Sequence, residues 1–349
     1  MQKIQIGKKH IGEGQPCYII AEAGVNHNGD LRIAKKLVKS AARAGADAVK
    51  FQTFSAESIA TRTARKAAYQ KRRSKATESQ YEMLRRLELP REAFETLFSY
   101  AEACGIEFLS SPFDLTSADL LESIGVAAFK VPSGEITNIP LLSRIGGFNK
   151  PIILSTGMAT LNEIREGIET LRTKGAQKIV LLHCVTSYPA PLESINLRMI
   201  ETLAREFALP VGFSDHTEGV TAAIIARALG ACVIEKHFTL DRNLPGPDHK
   251  ASVEPAVLAD MVKQVRLTES ALGEGIKSIG RTESAIRKIA RKSLVAAIII
   301  PKGTKLNREM IDIKRPGTGI ETKHLDTVIG MTARRAIQKD TVISWDMLQ

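Results

Sequence analysis

Cysteine is scarce: Cys17, Cys104, Cys184 and Cys232 are the only four in 349 residues, and no C-x-x-C pair occurs. That excludes a disulfide-built scaffold and a structural zinc site, and it predicts reduced, buried thiols in a cytoplasmic protein. No apolar run approaches the roughly 18 residues that a membrane span requires, so no membrane association is expected. The opening residues 1–14 lack the apolar stretch of a secretory leader. Helix-turn-helix, zinc-finger and aromatic RNA-binding patterns are also missing, so nucleic acid is not an expected partner. Acidic residues are the minority, 38 against 49 Lys and Arg, giving a net charge of +11. The densest basic run, residues 62–75, holds seven Lys or Arg and no acid. It reads as a solvated loop or helix face. The net charge itself suits small acidic substrates.

What is present is a globular composition, 44% hydrophobic and 25% charged, able to bury a large core. Short apolar runs alternate with amphipathic stretches from residue 17 to about residue 271. The candidate strands are CYIIAEAG (17–24), DAVKFQT (47–53), IEFLSS (106–111), AAFKVPS (127–133), PIILSTG (151–157), KIVLLHC (178–184), PVGFSD (210–215) and CVIEKHF (232–238). Between them, apolar residues recur at three- and four-residue spacing and several stretches end in Gly, as helices do. Strand–helix alternation means parallel strands with crossover helices. Eight such units predict a (β/α)₈ TIM barrel rather than an open sheet. The preceding IQIGKKHIG (4–12) reads as a short hairpin at the bottom of that barrel.

In this fold, chemistry gathers at the carboxyl ends of the strands. Those ends are polar on every candidate strand. They offer Glu22 with Asn26, His27 and Asn28; Lys50 and Gln52; Ser110 and Ser111; Lys130, Ser133 and Glu135; Ser155 and Thr156; His183; Asp215 and His216; Glu235 and His237. A barrel filled by apolar layers has no use for such a ring, which therefore marks an active site. His216 and His237 end neighbouring strands, and two imidazoles suit a divalent first-row metal such as Mn²⁺, Fe²⁺, Co²⁺ or Zn²⁺. Asp215 and Glu235 are candidate outer ligands or partners of the rings. The alternative is a histidine pair in a metal-free polar cluster. Lys50 and Lys130, with Ser111, Ser133 and Ser155, form a cradle for a small dianion, most simply a phosphate plus a carboxylate. The competing reading is a Schiff-base lysine, which wants one lysine with a depressed pKa.

The stretches AEAGVNHNGD, VKFQTF, PFD, FKVPSGE, ILSTGM, LLHC, YPAP, SDHT, IEKHFTLD, GPDHKAS and KRPGTG, in this order, resemble the sialic acid synthase family. Its members are phosphoenolpyruvate-dependent synthases of nonulosonic acids. The resemblance implies condensation of phosphoenolpyruvate with an open-chain N-acylated hexose and release of phosphate. It implies a divalent metal, most simply Mn²⁺, on His216 and His237, which polarises the sugar aldehyde. It gives Glu22 the task of directing water or stabilising a cation. Phosphoenolpyruvate falls to Lys50, Lys130, Ser111, Ser133 and Ser155, and the sugar to Gln52, Glu135, Tyr188 and Asp248. Two sugars fit. N-acetylmannosamine, giving N-acetylneuraminate, comes first. The 6-deoxy diacetamido sugar that gives legionaminate, differing at carbons 4 and 6, comes second.

Residues 1–272 read as the barrel, 273–290 as a polar linker and 291–349 as a small C-terminal domain. The last contains a weak repeat: Ile300 to Leu306 with Met310 matches Ile337 to Ile343 with Met347. Two copies suggest pseudo-twofold symmetry, each a turn followed by a short helix. The family resemblance makes this an antifreeze-like (β-clip) domain. It implies a domain-swapped homodimer in which Arg315 reaches the sugar bound by the other subunit.

Overall fold

The computed structural model describes residues 3–66 and 78–349. Most of the basic run 62–75 lies outside the described residues. The chain divides into two compact units, Met1–Gly273 and Glu274–Gln349.

The first unit opens with an antiparallel hairpin, β1 (Ile4–Ile6) and β2 (Lys9–Ile11). Eight parallel strands follow: β3 (Tyr18–Gly24), β4 (Ala48–Thr53), β5 (Glu107–Pro112), β6 (Phe129–Val131), β7 (Ile152–Ser155), β8 (Ile179–Cys184), β9 (Val211–Asp215) and β10 (Val233–His237). Their order is β5-β4-β3-β10-β9-β8-β7-β6, and β5 and β6 adjoin, so the sheet is a nearly closed barrel. All eight strands expected from the sequence are there.

Alternation sorts each strand into two faces. Tyr18, Ile20, Ala48, Leu109, Ile153, Val180, Leu182 and Val233 point inward and pack on Ile4, Ile6 and Ile11 of the hairpin. They plug the amino-terminal half of the barrel. Ile19, Val49, Phe51, Phe108, Leu181, Phe213 and Ile234 belong to the outer layer, with the helices. Gly212 lets the wall close: a Cβ there would sit 2.4 Å from the Val233 carbonyl oxygen. The helices start where side chains satisfy their free amides. Asp30 caps Leu31–Arg43, Asp114 caps Leu115–Ile124, and Thr160 with Glu163 forms a capping box on Leu161–Thr173. At the bottom, Asp47 accepts from the Ile19 amide at 2.6 Å and pairs with Lys9 and Arg266, tying hairpin, strand and last barrel helix together. All four cysteines are free. Three are buried, whereas Cys104 at the end of a helix is half-buried.

The second unit begins with a helix, Arg281–Ala290, inside the segment read from sequence as a linker. Its polar residues are solvated faces of a helix rather than an irregular chain. Beyond it lie an antiparallel pair, β11 (Ser293–Ala296) and β12 (Ile311–Lys314), and a small core around Leu294, Ile300, Leu306, Val328, Ile337 and Ile343. The repeat is visible in this core. Ile300 and Ile337, its first residues, bond reciprocally, each amide to the other's carbonyl at 2.8 Å. Gly303 and Asp340 take the same left-handed turn position, with φ of 83° and 62°. Each copy ends in one helical turn, Arg308–Met310 and Trp345–Met347. No described helix of the chain is long and apolar enough to cross a membrane.

Candidate active site

A cavity of about 360 Å³ opens at the carboxyl ends of the barrel strands, a size typical of small-molecule sites. Glu22, Lys50, Gln52, Ser111, Lys130, Ser133, Glu135, Ser155, Tyr188, His216, Glu235, His237 and Asp248 all line it. Every barrel residue assigned to a substrate or the metal is thus in one place. Arg315 belongs to the second unit, where its Nε donates to the Ala290 carbonyl at 2.9 Å.

The floor is a chain of four buried charges. Glu22 Oε2 lies 2.7 Å from Lys50 Nζ, Lys50 lies 3.7 Å from Glu235, and Glu235 lies 3.5 Å from Lys130. Lys50 also donates to Ser111 Oγ at 3.2 Å, Gln52 donates to Glu22, and Ser214 donates to Glu235. The carboxylates are driven apart. Burial dominates at Glu22 and leaves its pKa above the usual range despite Lys50. Burial also opposes the charge of Glu235, but Lys130 and Lys50 outweigh it and hold the group at about 2. Lys50 overcomes burial through Glu22 and Glu235 and stays above the ordinary lysine value. Lys130, with Glu235 alone in ion-pair range among the described residues, is pulled below it by burial. Ser155 Oγ is buried without a partner among the described residues. Gly157 allows the loop above to pack: a Cβ would meet Thr186 Oγ1 at 2.4 Å and Ser133 Oγ at 2.8 Å. Its amide donates to Ser133 Oγ.

The two imidazoles stand beside this floor, ring centroids 5.3 Å apart. Tyr188 packs on both, at 4.2 Å from His216 and 5.6 Å from His237. His216 Nδ1 donates to the Val185 carbonyl at 2.8 Å, which leaves Nε2 as the ring nitrogen not used in that bond. Burial disfavours a charge on His216, but Cys184 and Val185 reverse the balance and raise its pKa. His237 is held well below the ordinary histidine value by burial, His216 and Lys50. Its Nδ1 is buried with no hydrogen-bond partner among the described residues.

Several residues placed at the mouth from sequence point elsewhere. Asp215 is not a partner of the histidine rings. It faces outward, forms a 2.8 Å ion pair with Lys236 and accepts from the Thr217 amide and hydroxyl. His183 also lies outside the barrel wall, stacked on Phe213 and donating from Nε2 to the Ile195 carbonyl at 2.6 Å. Ser110 pairs with Thr53, and Thr156 donates to the Leu182 carbonyl. Asn26, His27 and Asn28 fasten loops instead of lining the cavity: Asn26 donates to Phe238 O and Ser252, the Gly29 amide donates to His27, and Asn28 meets His249. Each of these strand residues is one step out of phase with an inward neighbour, and period two sends it to the opposite face. Glu235 pairs with Lys50 and Lys130 rather than with the rings. Sequence reasoning missed Gln80, Cys184, Thr186 and Ser214 among the cavity residues, and with them the apolar part of the lining. Period two leads from Leu182 to Cys184 and from Gly212 to Ser214, but only once closure has set the first of each pair facing inward.

A family model described as the NeuB family matches residues 37–277, and one described as the SAF domain matches residues 291–349. An N,N'-diacetyllegionaminic acid synthase from Campylobacter jejuni subsp. jejuni serotype O:2 is 50% identical, covering 93% of this chain and 98% of its own. One of the same name from Legionella pneumophila subsp. pneumophila is 44% identical over 98% of both chains. The crystal structure of an N-acetylneuraminic acid synthetase from Leptospira borgpetersenii, in complex with citrate, is 34% identical with a TM-score of 0.73, covering 82% of this chain and 95% of that one. With the eight-stranded barrel and the cavity residues in place, the match over more than half its length makes the chain a member of the NeuB family, with a C-terminal SAF domain.

Proposed function

We propose that the protein condenses phosphoenolpyruvate with an open-chain N-acylated amino sugar and releases phosphate, forming a nonulosonic acid. The observation that carries this reading is the floor of alternating charges, Glu22–Lys50–Glu235–Lys130, set beside two histidines and three serines. Among the described residues, Lys130 has a single carboxylate in ion-pair range and the Ser155 hydroxyl has no hydrogen-bond partner, so the site has donors to spare for an anion. Lys50, Lys130, Ser111, Ser133 and Ser155 hold the phosphate and carboxylate of phosphoenolpyruvate. Glu235 fixes the lysines in place as a permanent counter-ion. The methylene carbon of phosphoenolpyruvate bonds to the sugar aldehyde carbon, and the aldehyde oxygen takes up a proton. Water adds to the enol carbon and the carbon–oxygen bond to phosphate breaks. Glu22, whose proton affinity is raised by burial, directs that water and accepts its proton. Gln52, Glu135, Tyr188 and Asp248 address the sugar.

His216 and His237 fit a divalent cation, most simply Mn²⁺. Both are buried and adjacent: with Nδ1 engaged by the Val185 carbonyl, Nε2 is the nitrogen through which His216 would bind a cation, giving up any proton it carries, and His237 stays neutral. Among the described residues no cluster of three or more His, Cys, Asp or Glu is placed to hold a metal, so substrate and water would complete the coordination sphere. Bound there, the cation supplies Lewis acidity to a carbonyl oxygen.

Between the two sugars, we take the 6-deoxy diacetamido sugar of legionaminate synthesis. The relatives that carry this name stand at 50% and 44% identity, against 34% for the N-acetylneuraminic acid synthetase. A homodimer is also part of the proposal. Ile276, Ile279, Ile286 and Ile289 are exposed around the helix Arg281–Ala290, an apolar surface of the kind that marks an association site.

The test is incubation of the purified protein with phosphoenolpyruvate, Mn²⁺ and each sugar, following phosphate release and product mass. Stoichiometric phosphate and keto acid are expected. Failure to release phosphate with any N-acylated amino sugar overturns the proposal.

A further inference from the structure

The cavity has a second storey. On β4, Ala48, Lys50 and Gln52 point inward, and Phe54 continues the same face. On β5, Leu109 and Ser111 do so, followed by Phe113. On β3, Ile20 and Glu22 lead to Val25 in the loop above. Phe54 and Phe113 thus stand two residues, roughly 7 Å, above the polar layer. They meet edge to face at 6.3 Å. With Val25, Met83, Leu84 and Leu87 they form a separate apolar cluster over one arc of the mouth. The same residues line the cavity. The helix Gln80–Leu87 that supplies three of them is secured by a capping box from Ser79 and Glu82, so the wall is built on a fixed element.

The chemistry lies at the polar layer, and carbon 1 of an open-chain sugar must reach it. Carbon 6 is then the end of the chain furthest from the strand ends, at the level of the apolar wall. We propose that the wall formed by Val25, Phe54, Phe113, Met83, Leu84 and Leu87 selects sugars whose carbon 6 is a methyl group. This rests on the condensation proposed above and names the part of the site that chooses its substrate. A methyl against this wall leaves no polar group dry. A 6-hydroxyl pressed against these six side chains would find no hydrogen-bond partner among them, and that costs binding.

The probe pair that isolates the effect is N-acetylmannosamine against its 6-deoxy analogue, with phosphoenolpyruvate and Mn²⁺. An apolar pocket discriminates against an added hydroxyl by about 10- to 100-fold, so kcat/KM for the 6-deoxy sugar should be higher by that factor. Leu84 is half-buried, and Leu84→Thr should narrow the ratio several-fold, chiefly through KM for the 6-deoxy sugar, with KM for phosphoenolpyruvate little changed. Ile59, also half-buried and lining the cavity, gives a second variant, Ile59→Thr, should the first fail to fold. Equal kcat/KM for the two sugars on the wild type, with phosphate released from both, overturns the wall and leaves the condensation standing. A ratio unmoved in a folded variant also overturns it. No phosphate release from any sugar overturns the condensation itself.

Discussion

Histidine chemistry at the single-residue level decides two predictions. The first concerns His237, whose lone pair is kept by burial rather than by a hydrogen bond. His237→Ala should reduce activity at least about a hundredfold, because Lewis-acid stabilisation is worth several kcal/mol, while the fold persists. Chelator should inactivate the wild type, and Mn²⁺ added back should restore it. The electron paramagnetic resonance signal of free Mn²⁺ should fall on titration with wild type and stay unchanged with the variant. Full activity in chelator would show that the two rings are only a packed pair. The second concerns His27 and His249, which burial depresses to about 4, with their mutual repulsion adding at His27. Their folded pKa lies below the unfolded value of about 6.5. The stability they contribute is therefore fully present above pH 6.5 and is lost as pH falls toward 4. At about 1.4 kcal/mol per pKa unit, the shift is worth on the order of 3 kcal/mol at His27 over that window, and less at His249. His249 is anchored through Thr239 at 2.6 Å and Asn28 at 3.3 Å, so its protonation loosens the loop that carries Asp248. Melting temperature measured from pH 7 to pH 4 should drop steeply, and His249→Asn should flatten that slope. A wild-type curve flat across the window would contradict the assignment.

Strand β10 shows how one element serves two faces. Val233, Glu235 and His237 look into the barrel, while Ile234 and Lys236 look out. Lys236 is buried between Asp215, at 2.8 Å, and the Thr217 carbonyl, at 2.6 Å. The pair clamps the end of β9 to β10 from behind, on either side of His216 and next to His237. Both groups are fully buried, so removing one strands a charge. Lys236→Met should cost about 3–5 kcal/mol. Replacing both, Lys236→Met with Asp215→Leu, should recover much of the loss, since no charge is then left unpaired. Urea denaturation of the two single variants and the double one measures this coupling. Additive losses would mean that the pair is not the clamp.

At the scale of the whole molecule, the chain is two compact units with separate cores, and the proposed homodimer gives them joint work. Arg315, exposed in the second unit, carries a planar fork suited to an N-acyl oxygen. If it serves the partner's barrel, Arg315→Ala and His237→Ala should complement each other. In a heterodimer one site holds both lesions and the other neither, so up to about half of the wild-type activity per dimer should return. The measurement is activity of heterodimers purified through two different tags after co-expression. Heterodimers without activity would rule out service in trans.

How far the sequence reaches is clearest at the strand ends. The alternation of Val233, Glu235 and His237 against Ile234, Lys236 and Phe238 is a local property, fixed by the pleat. It is legible without a structure, as are the eight strands, the hairpin Ile4–Ile11, the polar strand ends that carry Glu22, Lys50 and Ser111, and the repeat that begins at Ile300 and at Ile337. Where consecutive polar residues end a strand, as at His183 and Cys184 or at Ser214, Asp215 and His216, pattern does not say which one the barrel takes inside. Closure and register decide that. Nor does any local pattern join Glu235 to Lys50 and Lys130, which come from β4 and β6 on other sides of the barrel. Ion pairs across a barrel depend on which strands face each other once it has closed, and that is a distance between residues far apart in the chain. The sequence by itself determined the kinds of group at the mouth. Only the tertiary structure decided their partners, the roles of Asp215 and Glu235, and the apolar storey above them.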